Sequence, residues 1–183
     1  MSNDLHNVSL VLLDGTHCEA LHVLANDAHI SPTSSIPHPC PLEVVTGWLA
    51  DNQDAQGVQK NFTIFYKGEV AGVAMLKKID YAAQEAELAY WVGYPFWGQG
   101  IGQRAAQIMA WHAFTQMGLQ RLNSHCLKHG NPASRKILER IGFVPDAQRA
   151  DMPTEDRFAK LFPGDFWAFY ELTPQKFAAM QDS

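Results

Sequence analysis

The chain has 183 residues, 46% of them hydrophobic, with 19 acidic against 14 lysine and arginine side chains and a formal net charge of -5. That length supports one sizeable core and is short for two, so a single domain over residues 1–183 is expected. The acidic balance disfavours nucleic acid as a partner, and no apolar run approaches the ~20 residues of a membrane span.

In chain order, Val8 to Leu13 reads as a β-branched and leucine-rich first strand, and Thr16 to Glu19 has capping-box form ahead of a helix reaching about Asp27. Ile30 to Cys40 is a Ser- and Pro-rich loop. A second helix is expected over Leu42 to about Asn52. NFTIFY and VAGVAML, separated by Lys67, Gly68 and Glu69, form a hairpin, and Ala86 to Gly93 is a further strand. Ala106, Met109, Ala110, Ala113, Phe114 and Met117 follow a helical series that starts near Gln103 and stops at Gly118. Arg121 to Leu127 is a strand. NPASRKILERIGF, from Asn131 to Phe143, is a short helix with Asn131 as cap, Pro132 in the first turn and Gly142 as terminator. Phe143 to Arg149 and Asp165 to Leu172 are expected as closing strands, and Met152 to Gly164 as a loop of the kind that shapes a substrate mouth. This order implies an α/β (α+β) domain with a mixed sheet covered on both faces.

The most informative stretch is AAQEAELAYWVGYPFWGQGIG, from Ala82 to Gly102, in which a strand runs into glycines at Gly98, Gly100 and Gly102 and then into a helix. Glycines let main-chain NH groups approach a ligand, and a helix start offers unpaired NH groups and a positive dipole end, so the arrangement suits a diphosphate. Two familiar phosphate motifs do not fit. Gln99 and Gly100 stand where a P-loop needs lysine and a hydroxyl, and Gln103 stands where a dinucleotide fingerprint needs its third glycine. The stretch is either an anion cradle or a strand-to-helix turn without a ligand.

Taken together, the glycine loop and NPASRKILERIGF resemble the acetyl-CoA-binding core of the GNAT superfamily of N-acetyltransferases. The superfamily's loop is Arg/Gln-x-x-Gly-x-Gly/Ala, and Trp97, Gly100 and Gly102 occupy its three fixed places. Tryptophan departs from the general pattern, while YWVGYPFWGQGIG is similar to the Rim-type branch of ribosomal-protein amino-terminal acetyltransferases. The resemblance runs from Val8 to about Ala147. It implies a mostly antiparallel sheet whose two central strands splay to admit the pantetheine arm. It also implies contacts to acetyl-CoA (coenzyme A) from Trp91, Val92, Trp97, Gly98, Gln99, Gly100, Ile101, Gly102, Gln103, Arg104, Asn131 and Ser134. Because coenzyme A is a polyanion and the chain is acidic, local dipoles must hold it; Arg104 either adds a positive charge there or is a solvated helix-face residue.

Acetyl transfer to an amine requires loss of a proton from the amine, stabilisation of an oxyanion and departure of a thiolate. Neutralising an α-amine at pH 7 costs about 1 kcal/mol and a lysine amine about 4.6 kcal/mol, so an amino-terminal acceptor needs only a modest base. Glu87, an acid inside the apolar strand AELAYWV, is the candidate base or else an ion-paired structural carboxylate. An amide at Trp91 or Val92 would polarise the acetyl carbonyl. The tyrosine that many superfamily members use as the acid is replaced by Leu138, so Ser134 is the candidate donor, or else a first-turn serine serving the helix start capped by Asn131. Tyr90, Trp91, Tyr94, Phe96, Trp97, Trp167 and Tyr170 either line the acceptor pocket or pack.

Cys18, Cys40 and Cys126 are odd in number and lack a CxxC pair, the eight histidines show no ligand spacing, and no metal is expected. No Gly-x-Ser-x-Gly and no Cys-His spacing supports a covalent route, which points to direct transfer in a ternary complex. The expected acceptor is a protein amino terminus such as that of a ribosomal protein. A small amine (polyamine, amino acid or antibiotic) is the alternative, and a non-catalytic acyl-CoA sensor a third. The opening MSNDLHNVSL lacks signal-peptide regions, which predicts a cytoplasmic location. A monomer and a homodimer both stay open as the expected assembly.

Overall fold

The structure is a computed structural model that describes residues 6–181; the outermost residues of the expected domain, 1–5 and 182–183, lie outside the described residues. Strands β1 (Val8–Leu12), β2 (Lys60–Tyr66), β3 (Glu69–Asp80), β4 (Glu85–Val92), β5 (Arg121–Leu127), β6 (Val144–Pro145), β7 (Met152–Pro153) and β8 (Phe166–Leu172) form one sheet in the order β1-β2-β3-β4-β5-β8-β6, with β7 on β8. The helices are α1 (Cys18–Ala25), α2 (Leu42–Gln53), α3 (Ile101–Thr115), α4 (Pro132–Ile141), α5 (Asp156–Leu161) and α6 (Pro174–Gln181). Every paired neighbour is antiparallel except β4 with β5.

Strand alternation sorts the core into two layers. Val73, Met75 and Trp91 face α1 and α2 with Leu21 and Val45, whereas Ala74, Leu76 and Leu88 face α3 and α4 with Met109, Ala110, Leu138 and Ile141. The expected α3 stripe is this second layer: Ala106, Met109, Ala110 and Ala113 are fully buried, and Phe114 and Met117 pack against it. The β2–β3 turn is a two-residue loop, because Lys67 (φ 51) and Gly68 (φ 84) both take the left-handed conformation that matches strand twist.

The splay that positions the site has a local cause. β4 and β5 pair only where Glu85, Ala86 and Glu87 meet Arg121, Leu122 and Asn123. Beyond them the Ser124 hydroxyl donates to the Leu88 carbonyl (2.9 Å), tying the fork before the strands part.

Four expectations need correction. Asp14, not Thr16, caps the first helical turn: its carboxylate accepts from the Thr16 amide (2.8 Å), and His17 answers as the reciprocal partner. α3 starts at Ile101, two residues before Gln103, because Gly100 (φ 76) makes the turn. The strand over Phe143 to Arg149 shrinks to Val144–Pro145, since the buried Asp146 carboxylate takes the Gln148 amide (2.9 Å) and its carbonyl takes the Arg149 amide (3.3 Å), which turns the chain away. Met152 to Gly164 is not all loop; it holds β7 and α5, and α6 follows β8 unforeseen.

Candidate functional site

β4 ends at Val92 and the chain reaches α3 through Gly98 (φ 75) and Gly100 (φ 76), both in the left-handed region where a side chain is strained. The Arg104 amide is the first closed into α3, on the Gly100 carbonyl (3.1 Å). The amides of Ile101, Gly102 and Gln103 therefore precede any intrahelical acceptor and form the donor rim of an anion site. A Cβ on Gly102 would lie 3.4 Å from Ile137, 3.5 Å from Val92 and 3.8 Å from Tyr90, so the missing side chain is what opens the space between α3, α4 and β4.

That space is a cavity of about 580 Å³ walled by the glycine loop on one side and by Asn131, Ser134, Lys136, Ile137 and Arg140 on the other. Its volume falls in the range of small-molecule sites. Lys136 and Arg140 lie four residues apart on α4 and bring positive charge to the rim, with Arg140 also reaching Gln103 (3.4 Å). Amides, left-handed glycines and two cations suit a diphosphate.

A second cavity of about 260 Å³ lies against the first, and the two share Thr33, Ser34, Tyr90, Trp91, Asn131 and Ser134. At the junction the Asn131 side chain accepts from the Ser134 amide (3.0 Å), which fixes the start of α4, and the Ser134 hydroxyl lies 3.1 Å from the Tyr90 hydroxyl. The buried Asp165 carboxylate holds the approach to α4 by accepting from the amides of His129 (3.0 Å), Gly130 (2.7 Å) and Phe166 (2.8 Å). Trp48, Met75, Phe158 and Trp167 give the second cavity apolar walls, while Lys77, Glu87 and His125 give it polar ones. Arg157 on α5 donates to the carbonyls of Ser34 and Ile36, clasping the Ser- and Pro-rich loop over this space.

Two groups partner the Glu87 carboxylate. Lys78 Nζ lies 2.9 Å from Glu87 Oε2 and His125 Nδ1 lies 3.8 Å from Glu87 Oε1. Burial pushes the Glu87 carboxyl up, but the Lys78 hydrogen bond and the charges of His125, Lys78 and Lys77 outweigh it, and the net shift is downward. Burial depresses His125 below the ordinary histidine value, with Glu87 opposing and Lys77, Lys78 and Arg149 reinforcing the shift. Burial also raises the Tyr90 phenol and pushes the Cys126 thiol up to about 11, so neither ionises near neutral pH.

Of the residues singled out in the sequence, Trp91, Val92, Trp97, Gly98, Gly100, Ile101, Gly102, Gln103, Asn131 and Ser134 line the larger cavity and Glu87 the smaller. Gln99 and Arg104 line neither; the Gln99 amide turns to the Pro95 carbonyl (3.4 Å). The Gly93 amide bonds the Ala71 carbonyl (2.8 Å), so by alternation the Trp91 main chain is committed to β3 while that of Val92 faces the splay. Of the two amides considered for the acetyl carbonyl, Val92 has the right direction, and its carbonyl accepts from the Trp97 indole (2.7 Å). Tyr90 and Trp167 line cavities, whereas Tyr170 and Leu138 are core and Tyr94 stacks on His29. Sequence reasoning missed His125, Lys77, Lys136 and Arg140; only the last two had a signal, their spacing on one helix face. Among the described residues no three His, Cys, Asp or Glu side chains group as a metal site, and no helix is long and apolar enough to cross a membrane.

Residues 7–144 match the acetyltransferase (GNAT) domain model. The ribosomal-protein-serine acetyltransferase of Escherichia coli (strain K12) is 34% identical over 90 residues, 49% of each chain. The chain spans about half the length of the curated relatives it matches. Among solved structures, RimL, a ribosomal L7/L12 α-N-protein acetyltransferase in complex with coenzyme A, superposes with a TM-score of 0.76 at 24% identity, covering 91% of this chain and 94% of RimL. The spermidine N-acetyltransferase of Vibrio cholerae in complex with coenzyme A and spermine superposes with a TM-score of 0.77 at 16% identity, covering 94% and 99%. At these identities the two superpositions establish the fold.

Proposed function

Because the chain belongs to the GNAT acetyltransferase domain family, we propose that it is a cytoplasmic, acetyl-CoA-dependent N-acetyltransferase, one domain over residues 1–183, acting on the amino terminus of a protein such as a ribosomal protein. The observation that carries the reading is the meeting of two cavities at Tyr90, Asn131 and Ser134, one fitted for the carrier and the other for the amine.

Acetyl-CoA supplies the thioester whose acyl carbon the amine attacks, forming the C–N bond as the C–S bond breaks. The amides of Ile101, Gly102 and Gln103 with Lys136 and Arg140 hold its phosphates, and the Val92 amide, facing the splay, stabilises charge on the acetyl oxygen. The amine's proton leaves toward Glu87 and His125. A carboxyl held below its ordinary value is a weak base, and the imidazole beside it, which burial favours in its neutral form, offers a second acceptor, so the pair shares the task. Ser134 donates to the departing thiolate and Tyr90 resupplies hydrogen bonding to Ser134. With Cys126 protonated and no activated nucleophile at the junction, transfer is direct.

A small-amine acceptor is the second reading, motivated by the fold shared with a spermidine enzyme. Against it stands the acceptor cavity: among the described residues Glu87 is its single lining carboxylate, and Lys78 already pairs with it, which leaves nothing for the distal ammonium groups of a polyamine. Thiol release measured with acetyl-CoA, a panel of peptide amino termini and a panel of polyamines separates the readings. Turnover confined to peptides supports the first; turnover confined to polyamines overturns it; tight coenzyme A binding with no turnover on either panel makes the protein a sensor.

A further inference from the structure

β3 and β4 stay in register down to Lys77 opposite Glu87, and the ladder then slips before Asp80 meets Glu85. At the slip Lys78 has φ 49, a left-handed backbone that residues with side chains rarely adopt. Strict alternation would send Lys77 and Lys78 to opposite faces of the sheet. The bulge cancels that alternation: Lys78 Nζ reaches Glu87 Oε2 at 2.9 Å, while Lys77 lines the acceptor cavity on the same side. Backbone strain of this kind persists where the surroundings enforce it, and it concentrates at functional sites.

The result is a surplus of positive charge. Glu87 faces Lys78 with one oxygen and His125 with the other, and among the described residues Lys77 has no ion pair or hydrogen bond of its own. Lys77 is within electrostatic reach of both Glu87 and His125, and Arg149, stacked on Phe169 at 3.7 Å, adds its field at His125.

We propose that Lys77 is an anion subsite of the acceptor cavity and that the acceptor carries a carboxylate beyond its reactive amine. This rests on the acetyltransferase reading above. Spacing along the sheet identifies the source. Lys77 stands level with Glu87, three residues along β4 from Tyr90, which is about 10 Å at strand rise. Two extended peptide residues span about 7 Å, so an acidic side chain at the second or third position of an amino-terminal segment reaches Lys77 while the amine sits at Ser134. The α-carboxylate of a free amino acid, two bonds from its amine, is too close.

The test compares three serine-initiated peptides, with Glu, Ala or Lys at positions two and three, and free serine, in wild-type protein and in Lys77→Gln and Lys77→Glu. We expect kcat/KM in the order acidic, neutral, basic, with about tenfold between acidic and neutral, the scale of one partly shielded charge-assisted contact. Lys77→Gln levels the acidic-to-neutral ratio and Lys77→Glu inverts it. An unchanged order in both variants, or free serine outpacing every peptide, overturns the proposal. Calorimetric binding of the three acetylated peptides to the coenzyme A complex reads the same preference without chemistry. If that preference appears and depends on Lys77 while no amine turns over, the subsite stands and the enzymatic reading falls.

Discussion

The Tyr90 and Ser134 hydroxyls, 3.1 Å apart, join β4 to α4 across the splay and stand where the carrier and acceptor cavities meet. Burial holds the Tyr90 phenol protonated, so it has a proton to donate to Ser134 Oγ whenever that oxygen loses its own. Ser134→Ala is expected to lower kcat roughly tenfold to a hundredfold, at or below the lower bound of general-acid effects because a thiolate departs easily. Stability should fall by about 1–3 kcal/mol, since the helix cap uses the Ser134 amide and survives while the buried Tyr90 hydroxyl loses its partner. Steady-state kinetics beside thermal melts checks this; a kcat within twofold of wild type removes Ser134 from the chemistry. Tyr90→Phe should add little to Ser134→Ala, because the two hydroxyls act as one unit.

The glycine loop makes a second prediction in which space and strain separate. At Gly102 φ is ordinary and a Cβ meets Ile137 at 3.4 Å, so Gly102→Ala should fold normally, while Gly102→Leu fills the carrier cavity and should weaken coenzyme A binding more than tenfold. At Gly98 nothing lies within 4 Å of a Cβ, yet φ is 75, so Gly98→Ala should cost about 1 kcal/mol of stability through backbone strain. Calorimetric titration with coenzyme A and denaturant unfolding report the two effects independently.

These residues also mark what a reader of the sequence can and cannot reach. The cradle was legible because its chemistry is local: strand, glycines and helix start follow one another along the chain, and the α4 cap lies within four residues. Pairings that close only across strands were not. Lys78 and Glu87 are opposed by a bulge that no propensity announces, and His125 meets Glu87 because β5 returns parallel to β4. The Phe143 to Arg149 segment read as a strand since its composition permits one; Asp146 turns the chain because Arg121 Nη2, 25 residues away, holds its carboxylate at 3.0 Å. α5 and α6 were missed because short helices carry little periodicity and are held by tertiary contact.

Asp165 sets the approach to Asn131 from outside the site. Its carboxylate satisfies three backbone amides, and Gly130 lies so close to Phe162 and Asp165 that a Cβ there would come within 2.8 Å and 3.0 Å of them. Asp165→Ala leaves the His129, Gly130 and Phe166 amides without their acceptor and should cost about 3–5 kcal/mol, taking one to three per orphaned group and some relief from water. Because Asn131 follows Gly130 directly, kcat should fall along with stability. An unfolding free energy within 0.5 kcal/mol of wild type, roughly the margin of a neutral surface change, would contradict this account of the loop.

The acid side of the pH profile should contain two windows with different owners. Burial lowers the folded His125 value below its ordinary 6.5, so between those values the unfolded chain binds the extra proton and stability declines as pH drops below 6.5. His112, also depressed by burial, contributes in the same direction. Glu87 is depressed despite its burial; its contribution is fully present above its unfolded value of 4.5 and is lost as pH falls through the lower folded value. His125→Gln should therefore weaken the decline of the melting temperature just below pH 6.5, leaving the part that His112 carries, and Glu87→Gln should weaken it only below 4.5. The rate separates shared from single duty. If the neutral imidazole takes the amine's proton, kcat/KM of wild type falls on the acid side as His125 protonates, and that limb disappears in His125→Gln. A limb that survives His125→Gln and vanishes in Glu87→Gln would assign the base to the carboxylate alone, with Lys78 moving aside from its 2.9 Å contact to release it.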